Sequence, residues 1–202
     1  MDWSNRVAIV TGGASGIGAA TVAEFAARGV QVAIFDINAE RGEAVAQELR
    51  AKGQTVAAYP VDVSDATACQ TAVQQVAAQW QRIDFLVNDA VSFIAKGLDA
   101  TTAEWERSLG VNVRGYANMV AACHPIMKKT GGAIVNLASI SAHIAQPNRW
   151  TYNATKGAIV SMTKCQALDL SIDKMRVNAV SPGWIWTPEV QKAANHDRAK
   201  WE

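Results

Sequence analysis

Short apolar runs rich in valine and isoleucine recur along the chain, each followed by a longer alanine-rich stretch of helical spacing. The runs RVAIV (6–10), QVAIF (31–35), TVAAYPV (55–61), IDFLV (83–87), AIVNLA (133–138) and RVNAV (176–180) predict strands. The stretches near 17–28, 39–52, 65–81, 102–129 and 152–171 predict helices. Gly29 and Gly53 fall where the first two helices should stop. Thr101 with Glu104 three residues on predicts a capping box at the start of the fourth.

Parallel strands need crossover helices, and right-handed crossovers place those helices on both faces of one sheet. The strand runs are apolar throughout rather than alternating, as in a sheet covered on both sides. No linker, repeat or low-complexity tract interrupts the series. Residues 1–202 therefore read as a single α/β domain with a doubly wound parallel sheet.

Composition narrows the partners. The 19 basic and 18 acidic side chains leave a net charge of +1, with no block of one sign, which argues against nucleic acid or an anionic membrane as partner. No apolar run approaches the ~18 residues of a membrane span. The start, MDWSNRVAIV, carries Asp2 and reaches a strand at once, so no secretory signal is expected. Cys69, Cys123 and Cys165 are well separated and form no C-x-x-C, which predicts reduced thiols in a cytoplasmic protein. His124, His143 and His196 are too scattered to suggest metal ligands, and no metal is expected.

Candidate chemistry begins in VTGGASGIG, between the first strand and first helix. Gly12, Gly13, Gly16 and Gly18 strip the turn of side chains, so a pyrophosphate can approach the backbone and the positive helix end. The spacing is Gly12-x3-Gly16-x-Gly18 rather than G-x-G-x-x-G. Asp36 closes the second strand 18 residues after Gly18, close to the ~20 expected of an acid that binds the adenosine ribose hydroxyls. A carboxylate there accepts from the free diol of NAD and repels the 2′-phosphate of NADP; Arg41 is a weaker candidate for a phosphate partner. Tyr152 and Lys156 in WTYNATKG lie four positions apart, on one face of a helix.

Together these motifs resemble the short-chain dehydrogenase/reductase family. The resemblance runs from Arg6 to about Pro188 through TGGASGIG (11–18), Asp62-Val63, NDA (88–90), Asn112-Val113, Ser139, YNATK (152–156) and PGWIWT (182–187). Ser139 precedes Tyr152 by 13 residues, the family's spacing. The resemblance implies a Rossmann-like sheet in the order 3-2-1-4-5-6 and an oxidoreductase passing a hydride between NAD(H) and a secondary alcohol/ketone pair. Tyr152 would be the general acid/base. Lys156 would favour tyrosinate and hold the nicotinamide ribose. Ser139 would orient the substrate oxygen, and Asn112 would anchor a water relay. Gly12, Ser15, Gly16, Ile17 and Gly18 would hold the pyrophosphate, with Asp36 at the ribose and Asp62 and Val63 at the adenine. Asn88 and Ala90 would lie beside the adenosine ribose and the sheet centre. Pro182, Gly183, Ile185 and Thr187 would meet the nicotinamide end, and Ser141 is a second possible substrate contact.

The chain departs from the family twice. NDAV stands where Asn-Asn-Ala-Gly is usual, so Asp89 brings a charge near the cofactor and Val91 replaces a glycine. Weaker cofactor binding or lower stability than an asparagine would give is expected. The family's chain also continues past PGWIWTP, whereas this one ends at NHDRAKWE, so the C-terminal part of the family fold is expected to be missing. Trp150, Trp184 and Trp186, with Phe93 and Ile94, could wall an apolar, ring-shaped or sugar substrate, or simply pack. No charged cluster marks an acidic substrate. By resemblance, helices 102–129 and 152–171 would form a homodimer or homotetramer through Met119, Val120, Met127, Ile159, Met162 and Leu168, which could equally be core. Two alternatives stay open: a non-catalytic dinucleotide-binding regulator, and an NADP-linked ketone reductase, which Asp36 disfavours.

Overall fold

The computed structural model describes residues 3–187 and 190–191. His196 and the chain after residue 191 lie outside the described residues, as does Pro188, where the family resemblance ends.

Six strands, β1 (Val7–Thr11), β2 (Gln31–Asp36), β3 (Val56–Pro60), β4 (Phe85–Asn88), β5 (Gly132–Leu137) and β6 (Met175–Val180), form one sheet in the order β3-β2-β1-β4-β5-β6. Every pairing is parallel; Val10 on β1, for example, faces Ile34 on β2 and Val87 on β4. Successive strand residues point to opposite faces, and here both faces are apolar. Ala8, Val10, Val32 and Ile34 pack with Val22 and Ala26 of α1 (Gly16–Ala27) and Ala46 and Leu49 of α2 (Ala39–Arg50). Val7, Ile9, Leu86 and Ile134 face α3 (Ala66–Trp80) and α5 (Gly115–Met127), through Val73, Met119, Cys123 and Met127. The unbroken apolar runs are thus explained by burial on two sides.

The predicted helix over 102–129 is interrupted. α4 (Thr102–Leu109) carries the expected capping box, then a π turn spans Gly110–Arg114 before α5 begins. At the junction Gly115 lies so close to Val63 that an added Cβ would sit 2.7 Å from its side chain. The last helix, α6 (Trp150–Asp169), starts two residues before Tyr152 and ends in a short 3-10 turn, Leu170–Asp173. Met119, Val120, Met127 and Ile159 are buried within this chain, so these four belong to the core rather than to a subunit interface. Met162 is only partly buried and Leu168 is exposed. Among the described residues no helix is long and apolar enough to cross a membrane.

Candidate active site

All six strands run the same way, so their carboxyl ends and the following loops collect along one edge. A cavity of about 580 Å³ opens there.

One end is built by the first three strands. β1 stops at Thr11, whose hydroxyl accepts the Asp89 and Ala90 N–H groups (3.0 and 3.1 Å) and so pins the turn against the segment after β4. Gly12 has φ +68°, and a Cβ there would come within 3.0 Å of the Ala90 backbone; one at Gly18 would lie 2.2 Å from the Gly12 carbonyl oxygen. Only glycine permits this packing. Ser15 opens α1 in an extended conformation with no side-chain cap, which leaves the Gly16 and Ile17 N–H groups for an anion while Asp89 takes that of Gly18. Asp36 accepts from the Ala14 N–H (3.1 Å) and the Asn38 N–H (2.9 Å), which fixes its carboxylate at the cavity wall. Burial works to raise the Asp62 carboxyl, but hydrogen bonds from Ser64 and Arg107 hold it below the usual range. The glycine cradle, the helix N-terminus and the oriented acid fit a dinucleotide: Gly12, Ser15, Gly16 and Ile17 could hold a diphosphate and Asp36 a ribose, with Asp62 and Val63 lining the space beyond.

The other end is built by β5 and α6. Ser139, extended at the end of β5, accepts the Ser141 N–H through its hydroxyl (3.1 Å) and hydrogen-bonds the Tyr152 phenol. Tyr152 and Lys156 share one face of α6. Lys156 is 3% exposed, and its ammonium donates to the Leu137 carbonyl (2.6 Å) with its nitrogen 5.7 Å from the Tyr152 ring centre. Burial pushes this lysine down to about 8, against the opposing pull of Asp89. Burial raises the Tyr152 phenol, while the Ser139 hydrogen bond and the charge of Arg149 lower it and Asp89 raises it. Arg149 thus adds a positive charge near the phenol beside that of Lys156. Asp89 is pushed up to about 7 by burial, with Lys156 and the Gly18 N–H pulling the other way.

The structure brings most of the predicted residues to this one cavity, including Ala90, Pro182, Gly183, Ile185 and Thr187, but not Gly18, Asn88 or Asn112. Asn88 is buried at the sheet centre, where it donates to Asn136 (2.9 Å) and ties β4 to β5. The Asn112 side chain, in the π turn, accepts the Ser92 N–H (2.7 Å) and donates to the Ser92 carbonyl (3.1 Å) and the Thr155 hydroxyl (3.2 Å). It therefore braces the segment after β4 against α6 from behind the site. Of the three suspected wall tryptophans only Trp184 lines the cavity. Ser141 does line it and donates to the Gln146 side chain (2.6 Å). Arg107, Arg149 and Gln146 were not singled out from sequence, because no local spacing marks a side chain that only the folded loops bring in. Among the described residues no cluster of His, Cys, Asp or Glu could hold a metal ion.

Comparison with known proteins agrees with this architecture. The family model described as enoyl-(acyl carrier protein) reductase matches residues 12–202. The D-threitol dehydrogenase of Mycolicibacterium smegmatis is 38% identical over 190 residues, covering 93% of this chain and 73% of that protein. The L-fucose dehydrogenase of Mus musculus is 38% identical over 188 residues, covering 92% and 67%. A crystal structure of NAD+-bound xylitol dehydrogenase superposes with a TM-score of 0.92 at 32% identity, covering 99% of this chain and 78% of that one. With a sheet of this order, a glycine turn against the β4 segment and a Ser-Tyr-Lys set at the strand ends, the chain belongs to the short-chain dehydrogenase/reductase family of oxidoreductases.

Proposed function

We propose that this chain is an NAD-dependent dehydrogenase acting on a secondary alcohol/ketone pair, with Tyr152 as general acid/base. The observation that carries the proposal is that Ser139, Tyr152 and Lys156 line the same cavity as the glycine turn and Asp36. Relatives named for threitol, fucose and cyclopentanol support the substrate class.

Bound at the glycine turn, the dinucleotide supplies the acceptor or donor of hydride. The protein's part is proton transfer and placement. Ser139 Oγ hydrogen-bonds the substrate oxygen and sets it beside Tyr152 Oη. During oxidation the phenolate removes the hydroxyl proton; during reduction the phenol returns it. Lys156 Nζ, fixed by the Leu137 carbonyl, stands where it can hold the nicotinamide ribose. Asn112 contributes by bracing Ser92, and its part in a water relay is carried over from the family. Asp36 is the basis for NAD over NADP: its carboxylate welcomes a free diol and repels a phosphate.

Titration with NADH and NADPH should show at least tenfold tighter binding of NADH; preference for NADPH would overturn the role of Asp36. In an alcohol panel, Tyr152→Phe should lose about 100- to 10,000-fold in kcat while NADH affinity is kept. Turnover that survived in Tyr152→Phe would remove the mechanism. A homodimer or homotetramer through α4–α5 and α6 is proposed as the assembly, supported by the exposure of Leu109 and Leu168. The free, buried thiols of Cys69 and Cys123 support a cytoplasmic setting.

A further inference from the structure

We propose that Arg149 binds the substrate directly and selects alcohols and ketones that carry a carboxylate, that is, hydroxy acids and their oxo acids. This rests on the dehydrogenase reading above and names the substrate class of that same site.

Arg149 stands at the entry to α6, three residues before Tyr152, and its side chain lines the cavity. Its guanidinium carbon sits 5.8 Å from the Phe93 ring centre and 5.2 Å from that of Trp184. Phe93 in turn meets the Tyr152 ring edge-on, with centres 4.9 Å apart at 62°. Two aromatic contacts and the helix entry thus hold a permanent cation beside the phenol that would handle the proton. Its influence reaches that phenol, whose ionised form it favours.

Among the described residues no acid pairs with this charge. Among the described residues Arg149 makes no ion pair or side-chain hydrogen bond. The three acids lining the cavity are engaged elsewhere. Asp36 takes the Ala14 and Asn38 N–H groups, Asp62 takes Ser64 and Arg107, and Asp89 faces the Gly18 N–H and Lys156. Among the described residues no side-chain N–H of this guanidinium is given to a hydrogen-bond acceptor, and that N–H fork is the part that matches a carboxylate. A neutral polyol needs neutral donors and acceptors, and Ser141 and Gln146 already offer those. A held cation with no counter-charge among the described residues is what an anionic group would complete. The carboxylate serves as a handle and is unchanged by the reaction. The C–H bond at the hydroxyl carbon breaks with its electron pair passing to the dinucleotide as hydride, and the hydroxyl proton passes to Tyr152.

The test uses 2-, 3- and 4-hydroxy acids of short chain beside their amides, which match them in size and lack the charge. For at least one pair, wild type should favour the acid by tenfold or more in kcat/KM. Arg149→Met should lose at least tenfold more on that acid than on its amide, the loss shared by both reporting the charge withdrawn from the Tyr152 phenol, and Arg149→Lys should recover part of the difference. Equal losses on acid and amide, or wild-type preference for the amides throughout, would overturn the proposal. Calorimetric binding of the matching oxo acids and oxo amides to the NADH complex gives a readout independent of turnover. Charge discrimination in wild type that vanishes in Arg149→Met upholds the inference even if no alcohol is oxidised, an outcome that would sink the dehydrogenase reading alone. Turnover of neutral alcohols with no charge discrimination in either measurement leaves the dehydrogenase reading standing and removes the role of Arg149.

Discussion

Asp89 and Lys156 face each other across the site, and burial drives both toward neutrality, the acid up to about 7 and the lysine down to about 8. For Asp89 the folded value exceeds the unfolded one, so its stabilising contribution is complete below about pH 4 and is lost as pH rises through 7. For Lys156 the folded value is depressed, so its contribution is complete above about 10.5 and is lost as pH falls through 8. Between pH 7 and 8 both are charged, and these two groups give the fold least support there. Gly18 on α1 and Tyr116 and Tyr152 on the neighbouring helices complete the surroundings of the carboxylate. Asp89→Asn keeps an oxygen for the Gly18 N–H and removes the buried charge. It should stabilise the protein by roughly 1–3 kcal/mol at pH 8 and by little at pH 5, read from urea melts at the two pH values. The same variant should abolish a several-fold weakening of NADH binding between pH 6 and 8, since an ionised Asp89 repels the diphosphate. Identical pH profiles in variant and wild type would remove the idea. At this scale the glycine turn, Asp36, Ser139, Tyr152 and Lys156 were legible because each belongs to a short fixed spacing. Phe93 and Trp184 were readable as a possible wall, but Arg149, at the entry to α6, is brought between them only by the fold.

Among the elements, the strands and most helices follow from apolar periodicity and terminal residues. α4 begins where its capping box predicts: Thr101 Oγ1 accepts the Glu104 N–H (3.3 Å) and the Glu104 carboxylate accepts the Thr101 N–H (2.9 Å). Lys96 adds an ion pair to Glu104 at 2.8 Å and, with the Thr101 bonds, holds that carboxyl down at about 2. Thr101→Ala should cost about 1 kcal/mol in a thermal melt, with no change in NADH affinity. The π turn went unread because no proline or turn motif breaks the run over 102–129, although Gly110, Val111, Asn112, Val113 and Gly115 are weak helix formers. Its position is marked instead by Asn112, whose amide bonds the Ser92 backbone in both directions, a contact between distant segments that no helical period encodes. Such local widening recurs where helices serve a site, and here it braces the loop that carries Phe93.

In the whole molecule the central strands are tied by Asp84, 3% exposed at the start of β4. It accepts the Val7 N–H of β1 (2.9 Å) and the guanidiniums of Arg6 (2.7 Å) and Arg82 (2.6 and 2.8 Å). Burial alone would raise its carboxyl; these partners hold it below the usual range. Its contribution is therefore present above about pH 4 and lost as pH falls through the depressed value. Asp84→Ala should destabilise by about 2–4 kcal/mol at pH 7 in urea unfolding, and the difference should shrink in acid. The sheet order was legible from the family motifs and the βαβ rhythm, whereas Asp84 was hidden inside a run read as a strand. The reversal of strand order between β1 and β4 divides the cavity by origin. Loops after β1, β2 and β3 line the end proposed for the nucleotide, and loops after β4, β5 and β6 line the end proposed for the chemistry. A frame divided this way can be inherited with one half constant while the other drifts. New specificities can then arise by rewriting the second set of loops, with the first still supplying the same redox partner.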